Sequence, residues 1–252
     1  MSGGLFDSGV TILASPNAQH QMAHAQAMAE GLKRHGIKTT VTANPPCYTK
    51  VVVCWGWRMG LRLKLQGKRV LVMERGYLGD RFAWTSLGWD GLNGLAKFHT
   101  PDDGGVRFRK HFGPLQPWKE GGDYALVVGQ VAGDASLRGM NLVPWYAQMA
   151  SLLSQQGHHV VFRPHPRGHS GRMKVKGAET RTGDLGEALA GAKFVVTFNS
   201  NTGVDAVVAG VPAIVMDEGG MAHPVAGHHL GEIVRPEREA WAARLAWCQW
   251  TL

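Results

Sequence analysis

An α/β fold built on parallel, helix-flanked sheets is what this sequence predicts, and three observations predict it. Short β-branched runs alternate with segments of helical period, as a parallel sheet requires, because each strand must be followed by a crossover before the next. The alternation stops in the glycine- and proline-rich residues 101–122 and then begins again, so two halves of similar βα character are expected, without an exact repeat. In both halves charged and polar residues gather just after strands, at the edge where open parallel sheets place their ligands.

Residues 10–14 read as the first buried strand, and Ser15-Pro16-Asn17 turns the chain into a helix over 18–35. Met22, Ala25, Ala29 and Leu32 recur there at helical spacing, and Gly36 is placed to end it. Strands follow over 37–42, 51–55 and 69–73; the second leads through Gly56-Trp57-Arg58-Met59-Gly60 into a basic helix or turn. Glu74 then stands at the C-terminal end of the third. Residues 77–100 are rich in glycine and tryptophan with little period, and read as a long ordered loop with short helical pieces, of the kind that carries function.

Beyond the connection, the expected order is strand 124–128, helix 143–155, strand 159–162, a short helix 185–190 with Asp184 near its start, and strand 194–198. A polar turn, a helix and a further strand bring the chain to Asp217. Residues 236–252 read as a final tryptophan-rich amphipathic helix packing back across both halves, which gives domains over 1–115 and 116–235 and a last segment over 236–252.

The polar turn Asn199-Ser200-Asn201-Thr202-Gly203 sets small hydrogen-bonding residues where a helix begins. A helix start carries unsatisfied backbone N–H groups, and Gly203 would allow close approach, so the turn reads as a phosphate seat. A capped βα unit without a ligand is the alternative. The preceding strand weighs against it, because it ends in Arg163-Pro164-His165-Pro166-Arg167, which puts cations and an imidazole at the same edge. Together they point to a nucleotide-phosphate site.

Composition excludes several classes. The formal net charge of +8 and pI of about 9.6 are spread along the chain, which suits nucleic acid, nucleotides or acidic glycans as partners. Cys47, Cys54 and Cys248 form no CxxC pair, so free thiols in a reducing compartment are expected and structural zinc is not. No apolar run approaches the roughly 20 residues needed for a membrane span, and no signal-peptide pattern is present, so the expected location is the cytoplasm, that of the host if the protein is phage-encoded. His20 and His24 lack an HExxH context, Ser200 lacks a GxSxG elbow, and no GxGxxG fingerprint occurs, so a zinc hydrolase, a serine hydrolase and a nicotinamide oxidoreductase are all disfavoured.

Several blocks carry a family resemblance. Leu126-Val127-Val128-Gly129-Gln130-Val131 with Asp134-Ala135-Ser136, then Arg163-Pro164-His165-Pro166, then Asn199-Ser200-Asn201-Thr202-Gly203-Val204-Asp205-Ala206 with Gly210-Val211-Pro212, resemble the bacterial capsule Kdo-transferase family over most of residues 124–217. The resemblance implies a GT-B glycosyltransferase, with two Rossmann-like domains whose parallel sheets face a central cleft. It also implies a nucleotide-sugar donor substrate and no separate cofactor. Upstream, Glu74-Arg75-Gly76-Tyr77-Leu78 is similar to that family's acid-acid-glycine motif, in which a carboxylate is the catalytic base, with Arg75 in place of the second acid. The base is therefore expected at Glu74, with Asp80 or Asp90 as alternatives.

Sugar transfer needs a base for the acceptor proton and positive charge for the departing phosphate. Glu74 meets the first need; Arg163, His165 and the helix start at Ser200, Asn201, Thr202 and Gly203 meet the second. No DxD-like metal pair is present, so metal-independent and inverting transfer is expected. Gln130 and Ser136 are placed to contact base, ribose or phosphate. Lys64, Lys68, Arg69, Arg81, Lys97, Arg107, Arg109 and Lys110 cluster in the first half, and glycosyltransferases of this architecture modify hydroxymethylated bases in bacteriophage DNA. A DNA acceptor is therefore one expectation, an acidic or capsule-type saccharide a second, and a non-catalytic nucleotide- or nucleic-acid-binding module a third.

Overall fold

The structure, a computed structural model, describes residues 4–167 and 172–252. The chain forms two compact units, Met1–Pro101 with Arg244–Leu252, and Asp102–Ala243.

In the first unit the β-branched runs become strands and the periodic segments become the helices between them. The elements are β1 (Val10–Leu13), α1 (Gln19–Arg34), β2 (Thr39–Thr42), β3 (Val51–Trp55), α2 (Trp57–Leu65), β4 (Arg69–Arg75) and β5 (Thr85–Trp89). The chain runs from β1 outward to β2 and returns to β3 on the other side of β1, so the order across the sheet is β5-β4-β3-β1-β2. Side-chain alternation divides the core between the two faces. Val51, Val53 and Met73 pack with Ala25 of α1, while Val52, Cys54 and Val72 pack with Leu63 of α2. Burying a side chain such as Leu63 contributes about 1.5–3 kcal/mol.

β5 corrects the reading of residues 77–100 as a loop. It pairs antiparallel with β4, Glu74 opposite Ser86, so the first sheet is mixed. Gly88, the fourth of its five residues, hides the strand from propensity, and a Cβ there would meet the Cβ of Ala96 at 2.7 Å. The strand is therefore set by tertiary packing over its bare backbone.

The second unit contains α3 (Val106–Phe112), β6 (Tyr124–Val128), α4 (Val143–Gln155), β7 (Val160–Arg163), β8 (Glu179–Thr180), α5 (Leu185–Gly191), β9 (Ala192–Thr197), α6 (Thr202–Val208) and β10 (Ala213–Val215). Its sheet is parallel throughout, in the order β10-β9-β6-β7-β8. Tyr146, Met149 and Leu153 of α4 pack on Val127 and Phe162. Asp184 caps α5 as expected, its Oδ1 accepting the N–H of Glu187 at 3.0 Å. The connection expected over 101–122 carries α3, and two-residue β8 is too short to leave a periodic trace.

The reading of 236–252 as one helix is also corrected. The helix α7 (Glu239–Ala246) is followed by β11 (Gln249–Trp250), which pairs antiparallel with β5 and extends the first sheet. The division between units falls inside α7. Gln249 is fully buried, its Oε1 accepting from the N–H groups of Tyr77 and Leu78 at 2.5 and 2.9 Å and its Nε2 donating to Leu78 O at 3.0 Å. Those bonds satisfy backbone groups that follow β4, and the pairing with β5 holds the chain end extended.

Candidate functional site

In the second sheet the crossovers reverse direction between β6 and β9, and the C-terminal ends of these two neighbours are where an open parallel sheet holds its ligand. Gln130, two residues after β6, and Asn199, two residues after β9, meet there and are 8% and 3% exposed. Gln130 Nε2 donates to Asn199 Oδ1 at 2.8 Å, and Asn199 N donates to Gln130 Oε1 at 3.1 Å. Asn199 Nδ2 donates to Asp217 Oδ1 at 2.9 Å and to Ser136 O at 3.0 Å, and Asp217 Oδ2 pairs with Arg138. Tyr146 OH receives the N–H of Gln130 at 2.8 Å, which ties the network to the core. A cavity of about 250 Å³ lies beside Gln130, lined by Gly133, Leu137, Leu142, Tyr146 and Met173.

Of the expected donor-site residues, the structure brings Gln130 and Ser136 together. Ser136 Oγ donates to Asp134 Oδ1 at 2.7 Å and lies 3.4 Å from Asn199 Oδ1. Sequence reasoning missed Arg138 and Tyr146 and gave Asn199 no separate role. The short loop between β6 and α4 that brings Arg138 opposite Asp217, 79 residues away, leaves no local periodicity to find it by. His165 lies half-buried after β7, its Nδ1 accepting the N–H of Arg167 at 3.1 Å, which leaves Nε2 to carry the proton of the neutral ring.

Other expectations change. Arg163 directs its guanidinium to Gly183 O at 2.8 Å. The helix start is largely satisfied from within: Thr202 N donates to Ser200 Oγ at 3.2 Å, Gly203 N to Ser200 O at 3.0 Å and Val204 N to Asn201 O at 2.9 Å. α6 is only seven residues long, so its dipole is small. Gly203 serves packing, because a Cβ there would meet Val215 Cγ2 at 3.2 Å and Ala222 Cβ at 3.4 Å. The turn is thus a self-capped βα junction that contributes the side chains of Ser200 and Asn201 to the edge, with buried Thr202 inside it.

In the first unit, Glu74 is the penultimate residue of β4, half-buried, with Oε1 3.8 Å from where a Cβ on Gly56 would stand, beside the start of α2. Its charge and burial together raise the neighbouring Cys54 thiol to about 12, burial contributing more. Arg75 points to the opposite face, so strand alternation excludes the adjacent pairing that the sequence allows. Asp80 is exposed and spent on a turn, its Oδ1 accepting the N–H of Phe82 at 2.9 Å. Asp90 lies at the other end of β4: its Oδ1 accepts from Val70 N at 2.9 Å and its Oδ2 meets Arg69 Nε at 2.8 Å. That carboxylate anchors the start of β4, away from the edge that carries Glu74.

His223, beyond β10, stacks on His228 with ring centres 3.8 Å apart. Burial, and secondarily the charge of His228, holds its pKa below the usual 6.5, with Glu218 and Asp217 opposing. The unfolded chain therefore takes up this proton at a higher pH than the folded one, so stability falls as pH drops below about 6.5, until the folded ring itself titrates. His20 and His158 act in the same sense. The thermal midpoint is expected to fall between pH 7 and pH 5, and His223→Gln to flatten that dependence; an unchanged slope in the variant would remove His223 from the effect.

No protein-family profile matches the sequence, and no curated protein does. Solved structures do match. The β Kdo 2,4 transferase of Thermosulfurimonas dismutans KpsC aligns over 93% of this chain and 89% of that chain, with TM-score 0.56 and 17% identity. The β Kdo 2,7 transferase of the same protein aligns over 94% and 89%, with TM-score 0.55 and 14% identity. At these identities what is shared is architecture, and this chain has the α/β GT-B fold of those transferases.

Proposed function

We propose that this protein is a glycosyltransferase that moves a sugar from a nucleotide-sugar donor to the hydroxyl of a saccharide acceptor, in a metal-independent, inverting displacement. One observation carries the reading: a buried carboxamide network, Gln130 with Asn199, joins the ends of β6 and β9 at the point where the strand order reverses. The fold shared with two Kdo transferases supports it. The cavity beside Gln130 has room for a heterocyclic base. Ser136, His165, Ser200 and Asn201 are the groups that would meet ribose and phosphate, with Arg138 as a further cation.

In the proposed reaction Glu74 takes the acceptor proton, the acceptor oxygen forms its bond to the anomeric carbon, and the bond from that carbon to the phosphate oxygen breaks. The electron pair leaves with the phosphate, where cations stabilise it. A DNA acceptor is a second reading, favoured by the net charge of +8. The placement of three of its cations favours the saccharide. Lys64 Nζ donates to Asp90 O at 2.6 Å, Lys68 Nζ to Thr49 O at 2.9 Å, and Arg69 is held by Asp90. These three serve the edge where the strands begin. Among the described residues, no helix is long and apolar enough to cross a membrane.

Thermal-shift screening of CMP, UDP, GDP and ADP tests the donor half, since a ligand of the native state raises its stability. The nucleotide that binds should lose about 1–3 kcal/mol of affinity in His165→Ala and in Ser200→Ala; the ligand-free melting point should barely move in His165→Ala and fall modestly in Ser200→Ala, which also loses the bond from Thr202 N to Ser200 Oγ. Equal affinity in both variants would reject these contacts, and no shift with any nucleotide would reject the donor site. Transfer to a saccharide primer, to hydroxymethylated DNA and to plain DNA then separates the acceptors. A DNA acceptor requires duplex binding that weakens steeply with salt.

A further inference from the structure

We infer that Arg75, Trp55, Phe82 and His20 form a subsite in the first unit that binds the carboxylate and the ring face of an acidic sugar, which deepens the saccharide-acceptor reading and rests on it for its place in a reaction. The first sheet reverses its strand order between β1 and β3, so its ligand edge lies at the end of β3, where Trp55 is the last residue, and at the start of α1, which follows β1. His20, in the first turn of α1, meets the Trp55 ring edge-on at 4.8 Å. Arg75 places its guanidinium 5.6 Å from the centre of the Trp55 ring and 4.5 Å from that of Phe82. All four residues lie at one edge of one sheet.

Arg75 meets two aromatic faces and, among the described residues, no carboxylate. Its charge also helps, after burial, to hold the His20 ring below its usual pKa, so the neutral imidazole is favoured and the positive charge of the site rests on Arg75. A guanidinium placed over two aromatic rings still offers its planar N–H fork, which suits a planar carboxylate more than a spherical ion. Phe82 remains 64% exposed. A ring that served packing alone would be buried, whereas an exposed aromatic face beside a cation suits the apolar face of a pyranose with a carboxyl group. Glu74 and Arg75 are consecutive on β4, so the strand that carries the proposed base also carries the proposed anion clamp, each on its own face.

Isothermal titration of the full chain, without donor, tests the subsite with three probes: a disaccharide ending in glucuronic acid, its counterpart ending in glucose, and glucose 6-phosphate. The glucuronide should bind about 10-fold or more tightly than the neutral disaccharide, the worth of one charge-assisted hydrogen bond. Arg75→Gln should erase that preference, Arg75→Lys should keep part of it, and Phe82→Ala should weaken both disaccharides, with melting points unchanged. Equal binding of acidic and neutral disaccharides, or a full preference in Arg75→Gln, overturns the subsite. Tighter binding of glucose 6-phosphate than of the glucuronide overturns the carboxylate assignment. Because no donor is present, an Arg75-dependent preference in a protein that transfers no sugar upholds the subsite while rejecting the transferase. Transfer to neutral primers with no Arg75 dependence does the reverse.

Discussion

Glu74→Gln is expected to lower sugar turnover by about 10²–10⁴-fold while leaving donor affinity nearly unchanged. The substitution keeps the shape of the side chain and removes its basicity, so its effect belongs to proton abstraction and not to packing. Glu74 sits beside Gly56, which has φ +87° and adopts it without strain only because it is glycine. Asp80→Asn and Asp90→Asn are the controls. Asp80 holds a turn, and Asp90 holds the start of β4 through Val70 N and Arg69, so Asp90→Asn should cost stability before it costs rate. Full activity in Glu74→Gln would move the base elsewhere, and no loss in any of the three would favour a binding module that keeps the fold without the chemistry.

The sequence made the central parallel strands legible because they are buried on both faces and therefore read as unbroken β-branched runs. Val51–Trp55 and Tyr124–Val128 fall within the bounds expected from composition alone. The antiparallel edge was not legible. β5 contains a glycine and β11 has only two residues, and both are strands because of what pairs with them. The same division holds for the candidate site. Gln130 and Ser136 stand close after a strand and could be picked out by position. Arg138 becomes part of the site only through Asp217, and Gly203 looks like a phosphate-approach glycine until Val215 and Ala222 are seen against it. Local pattern reports which edge of a sheet is polar; it does not report which of those polar groups satisfy one another.

Asn199→Ala should destabilise the protein by about 2–4 kcal/mol, a fall in thermal midpoint of roughly 4–16 °C, and should abolish detectable nucleotide binding with it. The side chain and backbone of Asn199 bond Gln130 in both directions and also reach Ser136 O and Asp217. Truncation takes the side-chain partner from Gln130 Nε2 and from Ser136 O where water has little access, while Asp217 Oδ1 keeps the N–H of Gly219, and the penalty for such groups exceeds the net worth of the bonds themselves. Asn199→Asp separates geometry from chemistry. It preserves the volume but replaces the donor that faces Asp217 Oδ1 at 2.9 Å with a second carboxylate oxygen, so two like charges would share a buried edge with only Arg138 to offset them. That variant is expected to be no more stable than Asn199→Ala at neutral pH and to recover as acidification protonates one of the two carboxyls. Native stability and unimpaired nucleotide binding in Asn199→Asp at pH 7 would mean that the network does not organise the β6 and β9 edge.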